Sequence, residues 1–216
     1  MNTVTKFALG LMGRLRPEPA QVDSAASIAL PPPSRHGGLP LMEALGKRHS
    51  SREFAADPLP PQQLSDLLWA AYGTNRPDGG RTAPSALNAQ EIDVFVALPT
   101  GAYRYDAALH ALHLVAASDL RRVTGYQDFV DEAPLDLVYV ADHARMRQVP
   151  VTQRDSFASV AAGAIAQNVY LFAASNDLVA VIRAWIDRAA IADALGLTHD
   201  QQVLLSQTVG YPKMAP

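Results

Sequence analysis

The chain has 216 residues, 49% of them hydrophobic, which suits one sizeable core and one domain. A formal net charge of −3 gives no electrostatic case for nucleic acid, which would want a basic stripe. Cysteine is absent, which excludes disulfides, thiolate nucleophiles, iron–sulfur clusters and Cys-type zinc sites together.

Residues 1–39 read as an N-terminal arm, extended or poorly ordered. Pro17, Pro19 and Pro31-Pro32-Pro33 favour polyproline-like backbone, and Gly37-Gly38 adds a joint. Lys6 precedes the apolar stretch Phe7 to Met12, with Arg14 close behind. That centre is shorter than the ~7–15 residues of a secretion signal. A cytoplasmic location is expected, with export as the alternative. No apolar run approaches the roughly 20 residues of a spanning helix, so no membrane partner is expected.

Residues 40–216 read as a single domain. Leu41 to Arg48 is expected to be the first core helix. Lys47-Arg48-His49-Ser50-Ser51-Arg52 then gathers cations and hydroxyls at its end, running into an extended segment. Such a set suits a phosphate, because Arg gives a charged donor fork and Ser a neutral donor. It equally suits a solvated helix end, where the dipole favours cations. Pro60 and Pro61 open a second helix with an apolar stripe of Leu64, Leu67, Leu68, Ala71 and Tyr72, closed by Gly73.

Residues 74–91 form a long polar loop. Ile92 to Leu98, Tyr103 to Asp106 and Ala111 to Val115 predict a meander. Ser118-Asp119-Leu120 could cap a short helix ending near Gly125. Leu135 to Ala141 is apolar enough for a central strand covered on both faces. Ser156 to Ser175 predicts the longest helix, apolar almost all round and hence buried centrally or at a subunit interface, with Gln167 and Asn168 as satisfied core amides. A strand at 178–182, a helix from Asp187 to Leu195 stopped by Gly196, and a last strand at 203–209 complete an α+β or mixed α/β pattern.

Several chemistries lack their motif. There is no G-x-G-x-x-G, P-loop, H-E-x-x-H or G-x-S-x-G. His110-x-x-His113 is the one close histidine pair and lacks a third ligand of obvious spacing, so no metal site is expected. The remaining signals suit a phosphate-bearing organic cofactor.

Arg48-His49-Ser50-Ser51-Arg52, with Phe54 two positions on, resembles the R-x-S-x-R-x-F opening of the nitroreductase family of FMN flavoproteins. Pro84-Ser85-Ala86-Leu87-Asn88-Ala89-Gln90 resembles that family's P-S-x-x-N-x-Q loop. Gly163 to Leu171, with Gln167-Asn168-x-Tyr170, is similar to its central helix, and Val209-Gly210-Tyr211-Pro212 to its closing strand. Leu67 to Ala71, Gly80 to Ser85 and Gly101 to Asp106 resemble the branch containing the thiazole/oxazole-forming azoline dehydrogenases. The match covers about residues 28–213.

The resemblance implies an α+β, nitroreductase-like sandwich with a central mixed sheet flanked by helices, built as an intertwined homodimer with FMN at the interface. Arg48 and Ser50, with His49 between them, would hold the ribityl-phosphate. Arg52 would face the flavin's pyrimidine edge, where a cation stabilises the anionic reduced ring. Pro84, Ser85, Asn88 and Gln90 would reach the flavin of the partner protomer. Gln127 would contact the ring, and backbone at Ala184 or Trp185 would lie against N5. Trp185 either narrows the substrate face or is a core tryptophan. Of the family's closing P-K-x-R clamp, residues 212–216 offer only Lys213. Lys213 or Arg183 substitutes, or the opening cluster holds the phosphate alone.

The implied function is an FMN-dependent oxidoreductase. Hydride enters flavin N5 from a transiently bound NAD(P)H and leaves to an electron-poor small molecule such as a nitroarene or quinone. No protein group is assigned as catalytic; Tyr103, Tyr105 and Tyr126 are candidates for proton donation. The alternatives are an azoline-type dehydrogenase of peptide substrates, or a flavin-binding or non-catalytic partner protein.

Overall fold

The structure is a computed structural model that describes residues 1–21 and 24–213. Among these residues the chain forms α1 (Thr3–Leu11), β1 (Glu18–Pro19), β2 (Ser27–Ala29), α2 (Leu41–Lys47) and α3 (Pro61–Tyr72). The meander β3 (Ile92–Leu98), β4 (Gly101–Asp106) and β5 (Ala111–Ala116) follows, then β6 (Ser118–Asp119) and β7 (Leu135–Asp142). The last elements are α4 (Val151–Ser175), β8 (Val179–Arg183), α5 (Arg188–Leu195) and β9 (Gln201–Gly210).

The main sheet runs β2-β5-β4-β3-β7-β9-β8. The α+β sandwich is as expected, but the sheet is antiparallel at every described pairing rather than mixed. The tight turn at Pro99-Thr100 forces β3 and β4 antiparallel. The single parallel pairing among the described residues is the isolated bridge between Ser50 and Ala180.

The pleat divides the core. On one face Val94 and Val96 of β3 and Leu135, Leu137, Tyr139 and Ala141 of β7 meet α3 and α4. On the other, Phe95, Ala97, Val138 and Val140 pack with Leu15, Ile191 and Leu195. β7 is buried on both faces, as its apolar run predicts. α4 is long and apolar enough to cross a membrane by length and composition. In this fold its Ala158, Ala162, Ile165, Ala166 and Val169 are buried in protein. Its opposite side is not covered: Val160 is 69% exposed.

Four local expectations change. Thr3–Leu11 is helical within the stretch read as an extended arm. Long-range anchors make it so: the fully buried Lys6 donates to Asp131 at 2.6 Å and to the Gln127 carbonyl at 2.8 Å. α2 is short and buries only Ala44, leaving Leu41 and Met42 exposed, so it is a surface helix rather than a core one. The capped helix expected near residue 120 shrinks to a 3₁₀ turn, Arg121–Val123. Gln167 is exposed rather than a core amide, while Asn168 reaches the Ala71 carbonyl at 3.4 Å.

Candidate functional site

The chain leaves α2 at Arg48 and runs alongside the edge strand β8. Ser50 bridges Ala180, the Ser51 amide donates to the Ala180 carbonyl at 3.1 Å, and the Ala55 amide donates to the Tyr211 carbonyl at 2.9 Å. Phe54 is buried with Ala133 and Val181, which pins the segment. Tyr170 of α4 organises the side chains. Its hydroxyl accepts from the Ile182 amide at 2.9 Å and lies 2.8 Å from Ser50 Oγ. The tyrosine proton can therefore go to Ser50, leaving the serine proton for a ligand. The Arg48 guanidinium lies over the Tyr170 ring, 5.2 Å from its centre.

Neither Arg48 nor Arg52 belongs to an ion pair among the described residues; Glu43 is taken by Lys47. Lys213 joins this cluster, its amide donating to the Glu53 carbonyl at 3.3 Å and its ammonium 3.9 Å from Glu132. Arg48 and Ser50, gathered on Tyr170, form a donor pair that fits a phosphate, with Arg52 and Lys213 further along the same segment. His49 is exposed and donates from Nδ1 to the Lys47 carbonyl at 2.9 Å.

Arg183 does not complete the set. It is buried, pairs with Asp136, and donates to the Thr124 carbonyl at 3.2 Å and to Thr208 Oγ1 at 2.7 Å. Burial lowers its pKa against the pull of Asp136. A guanidinium so engaged is not available to a phosphate, so of the two proposed substitutes only Lys213 stands beside the cluster.

Ala184 and Trp185 follow β8 directly, before Asp187 caps α5 by accepting from the Ala190 amide at 3.0 Å. Trp185 is 48% exposed and stacks on Tyr126 at 5.2 Å and Phe7 at 5.4 Å between centroids, so it is not a core tryptophan. Gln127 lies next to Tyr126, and its Oε1 is enclosed without a partner among the described residues. Phe129 sits 5.5 Å from Phe54 between centroids. Segments 48–54, 126–129 and 183–186 thus meet at the β8 edge, although they are far apart in the chain.

Residues 84–90 are elsewhere. Asn88 and Gln90 line a cavity of about 390 Å³ with Tyr72, Arg81, Asp93, Tyr105 and Arg145, and no residue of 48–54 lines it. Ser85 donates to Glu91 and accepts from the Gln90 amide; Gln90 accepts from Arg81 and donates to the Gly79 carbonyl. These two side chains build the loop, while Pro84 and Asn88 are exposed. Leu87, Asn88 and Gln90 all have left-handed backbone, with φ of 54°, 52° and 49°. That conformation costs non-glycine residues energy and is common at functional loops.

Tyr170 is a site residue that the sequence motifs do not assign, although it stands inside the Gln167-Asn168-x-Tyr170 segment similar to the family's central helix. A cavity of about 640 Å³ lies among residues 34–39, α2, α3 and α4 and is lined by none of the expected site residues.

The sequence profile of the nitroreductase family matches residues 45–211. The chain belongs to this family. A protein of Methanocaldococcus jannaschii provisionally named a nitroreductase is 30% identical over 148 residues, 64% of this chain and 75% of that one. A Ralstonia eutropha structure with the same provisional name is 52% identical, with a TM-score of 0.89 over 93% of this chain and 96% of that one. The McbBCD microcin synthetase of E. coli shares the fold over 98% of this chain and 92% of the matched one, at 18% identity and a TM-score of 0.68. As a nitroreductase-family member the chain is a flavin-dependent oxidoreductase in kind.

Proposed function

We propose that the protein holds FMN against the β8 edge and passes hydride from NAD(P)H to an electron-poor small molecule of the nitroarene or quinone type. The observation that carries this reading is the Ser50–Ala180 bridge, which lays the segment Arg48 to Arg52 beside β8, the strand that leads into Ala184 and Trp185. Arg48, Ser50 and Lys213 would bind the phosphate end, and Arg52 with Gln127 the ring. The unpartnered Gln127 Oε1 is the kind of buried acceptor a flavin N–H satisfies. Bound FMN would supply a two-electron carrier at N5.

Separation of residues 84–90 from this edge within one chain supports a two-chain site. The exposed apolar faces of α2 and α4, with Met42 77% and Val160 69% exposed, offer a surface for a second copy. A structural neighbour named as an NADPH:FMN oxidoreductase from Vibrio harveyi, complexed with NAD+, covers 82% of this chain at 23% identity. The second reading, an azoline-type dehydrogenase, draws on the fuller coverage of 98% by the microcin synthetase neighbour. A cytoplasmic location remains part of the first reading.

The test is a visible spectrum of the purified protein, followed by NADH or NADPH without air. A yellow protein bleached by either nucleotide is the expected result. A protein that takes up no FMN overturns the reading, and a yellow one that neither nucleotide bleaches favours the dehydrogenase.

A further inference from the structure

Tyr105 and His110 connect two cavities. Tyr105 lines the 390 Å³ cavity that also holds Asn88 and Gln90. His110 lines a second cavity of about 370 Å³ with Arg35, Trp69 and Arg76. Between them, Tyr105 Oη lies 2.9 Å from His110 Nδ1, and His110 Nε2 lies 2.6 Å from Ser65 Oγ. Ser65 itself donates to the Pro31 carbonyl at 2.6 Å, so Nε2 carries a hydrogen toward the serine. Nδ1 is then the atom whose protonation is free to change.

The imidazole is held there against a backbone cost. His110 closes the β4–β5 turn with φ of 50°, a position that Gly or Asn would fill more cheaply. Strain of this kind persists where the surroundings over-determine it.

The three tyrosines raised by the sequence now separate. Tyr103 is fully buried and its hydroxyl has no partner among the described residues. Tyr126 is stacked between Phe7 and Trp185. Tyr105 alone of the three lines a cavity with loop 84–90 and is hydrogen-bonded to a histidine.

We infer that Tyr105 is a catalytic residue, the proton donor to the acceptor, and that His110 recharges it. The inference rests on the flavin reading above. With His110 neutral, the Tyr105 proton is directed at Nδ1. With His110 doubly protonated, Nδ1 donates to Tyr105 Oη and the phenolic hydrogen is released to the cavity. A quinone that receives hydride then takes one proton from Oη, Oη takes one from Nδ1, and the neutral imidazole regains its proton from solvent in the second cavity. Electrons and protons balance: quinone and hydride give the hydroquinone monoanion, and the one proton from Tyr105 gives the neutral hydroquinone.

The groups facing His110 are Ser65 and Asp66 of α3, Tyr105 of β4, the Pro31 carbonyl and Arg35. Those facing Tyr105 are Arg81, Asp106 and His110. Burial lowers the His110 pKa, against the Pro31 carbonyl and Asp66. Burial raises that of Tyr105 well above its ordinary value, which disfavours a tyrosinate and favours return of a proton from Nδ1.

The experiment uses the FMN-loaded, full-length protein, reduced by NADH and then mixed by stopped flow with p-benzoquinone or with ferricyanide, which takes electrons and no proton. Tyr105→Phe and His110→Asn should each slow reoxidation by the quinone about 100-fold, as for a lost general acid, while ferricyanide rates stay within about twofold. In the wild type the quinone rate should fall about tenfold per pH unit above the His110 pKa. In ¹⁵N-histidine NMR of the same protein, the His110 Nδ1 resonance should shift in Tyr105→Phe. Equal slowing of both acceptors, an unchanged quinone rate, a flat wild-type pH profile between pH 5 and 8, or an unmoved Nδ1 resonance each overturns the inference. Protein that binds no FMN, or is not bleached, overturns the flavin reading together with it; normal bleaching with an unchanged quinone rate overturns this inference alone.

Discussion

Arg183 and Asp136 form an ion pair whose side chains are only 4% and 0% exposed, closed by the hydroxyls of Thr124 and Thr208. Removing one member leaves the other charge buried without its partner, which costs about 3–5 kcal/mol. Asp136→Leu and Arg183→Met should each destabilise by that amount in urea unfolding. The double variant should recover most of the loss, because replacing a buried pair by apolar groups is often neutral. A double variant as unstable as the sum of the singles would show the two residues acting independently.

Ser50 and Tyr170 should separate phosphate binding from stability. Ser50→Ala removes one neutral donor to an anion, a bond worth about 1.5–3 kcal/mol, so FMN affinity should drop roughly 10- to 150-fold in a fluorescence titration. Tyr170→Phe keeps the ring beneath Arg48 but leaves the Ile182 amide unpaired, so it should cost about 1–3 kcal/mol of stability and weaken FMN less than Ser50→Ala does. Unchanged affinity in Ser50→Ala would return this cluster to a solvated helix end.

α1 should depend on Asp131. That carboxylate takes Lys6 at 2.6 Å and the N-terminal ammonium at 3.0 Å. Without it Lys6 stays enclosed with the Gln127 carbonyl as its remaining partner, and undocking the helix is cheaper than tolerating the charge. Asp131→Ala should raise the rate of tryptic cleavage after Lys6 at least about tenfold, with the global unfolding transition little changed. Equal cleavage rates would show that the Phe7–Tyr126–Trp185 stack and the bonds to Gln127 and Asp128 hold the helix without Asp131.

What could be read in advance follows the range of the interaction. β3 and β7 showed in their apolar runs, and α3 in its stripe between Pro61 and Gly73, because local periodicity decides those elements. α1 was misread because its anchor Asp131 lies 125 positions from Lys6. Arg183 looked available because nothing in its neighbourhood names Asp136, 47 positions away. The cations and hydroxyls of 48–52 suit a phosphate on residue chemistry alone, but equally a solvated helix end, and the family resemblance is what favours the site reading there and at 84–90. Their placement at the β8 edge and behind a separate cavity depends on sheet order, which no single segment encodes.

His110 also makes a prediction about stability and pH that needs no cofactor. Burial lowers its folded-state pKa below the unfolded value of about 6.5. The unfolded chain therefore binds more protons than the native one between those two values, and stability falls as pH falls through that window. Asp106 acts in a different window. Burial raises its pKa, but the Leu109 and Ala108 amides and the charge of His113 outweigh burial and hold it below the ordinary carboxylate value. Its contribution is present above about pH 4 and is lost only below that. Urea midpoints measured from pH 8 to pH 3 should therefore fall in two steps. His110→Asn, a residue that tolerates the left-handed turn position, should remove the first step and leave the second. A first step that survives in His110→Asn would place the neutral-range titration on another histidine.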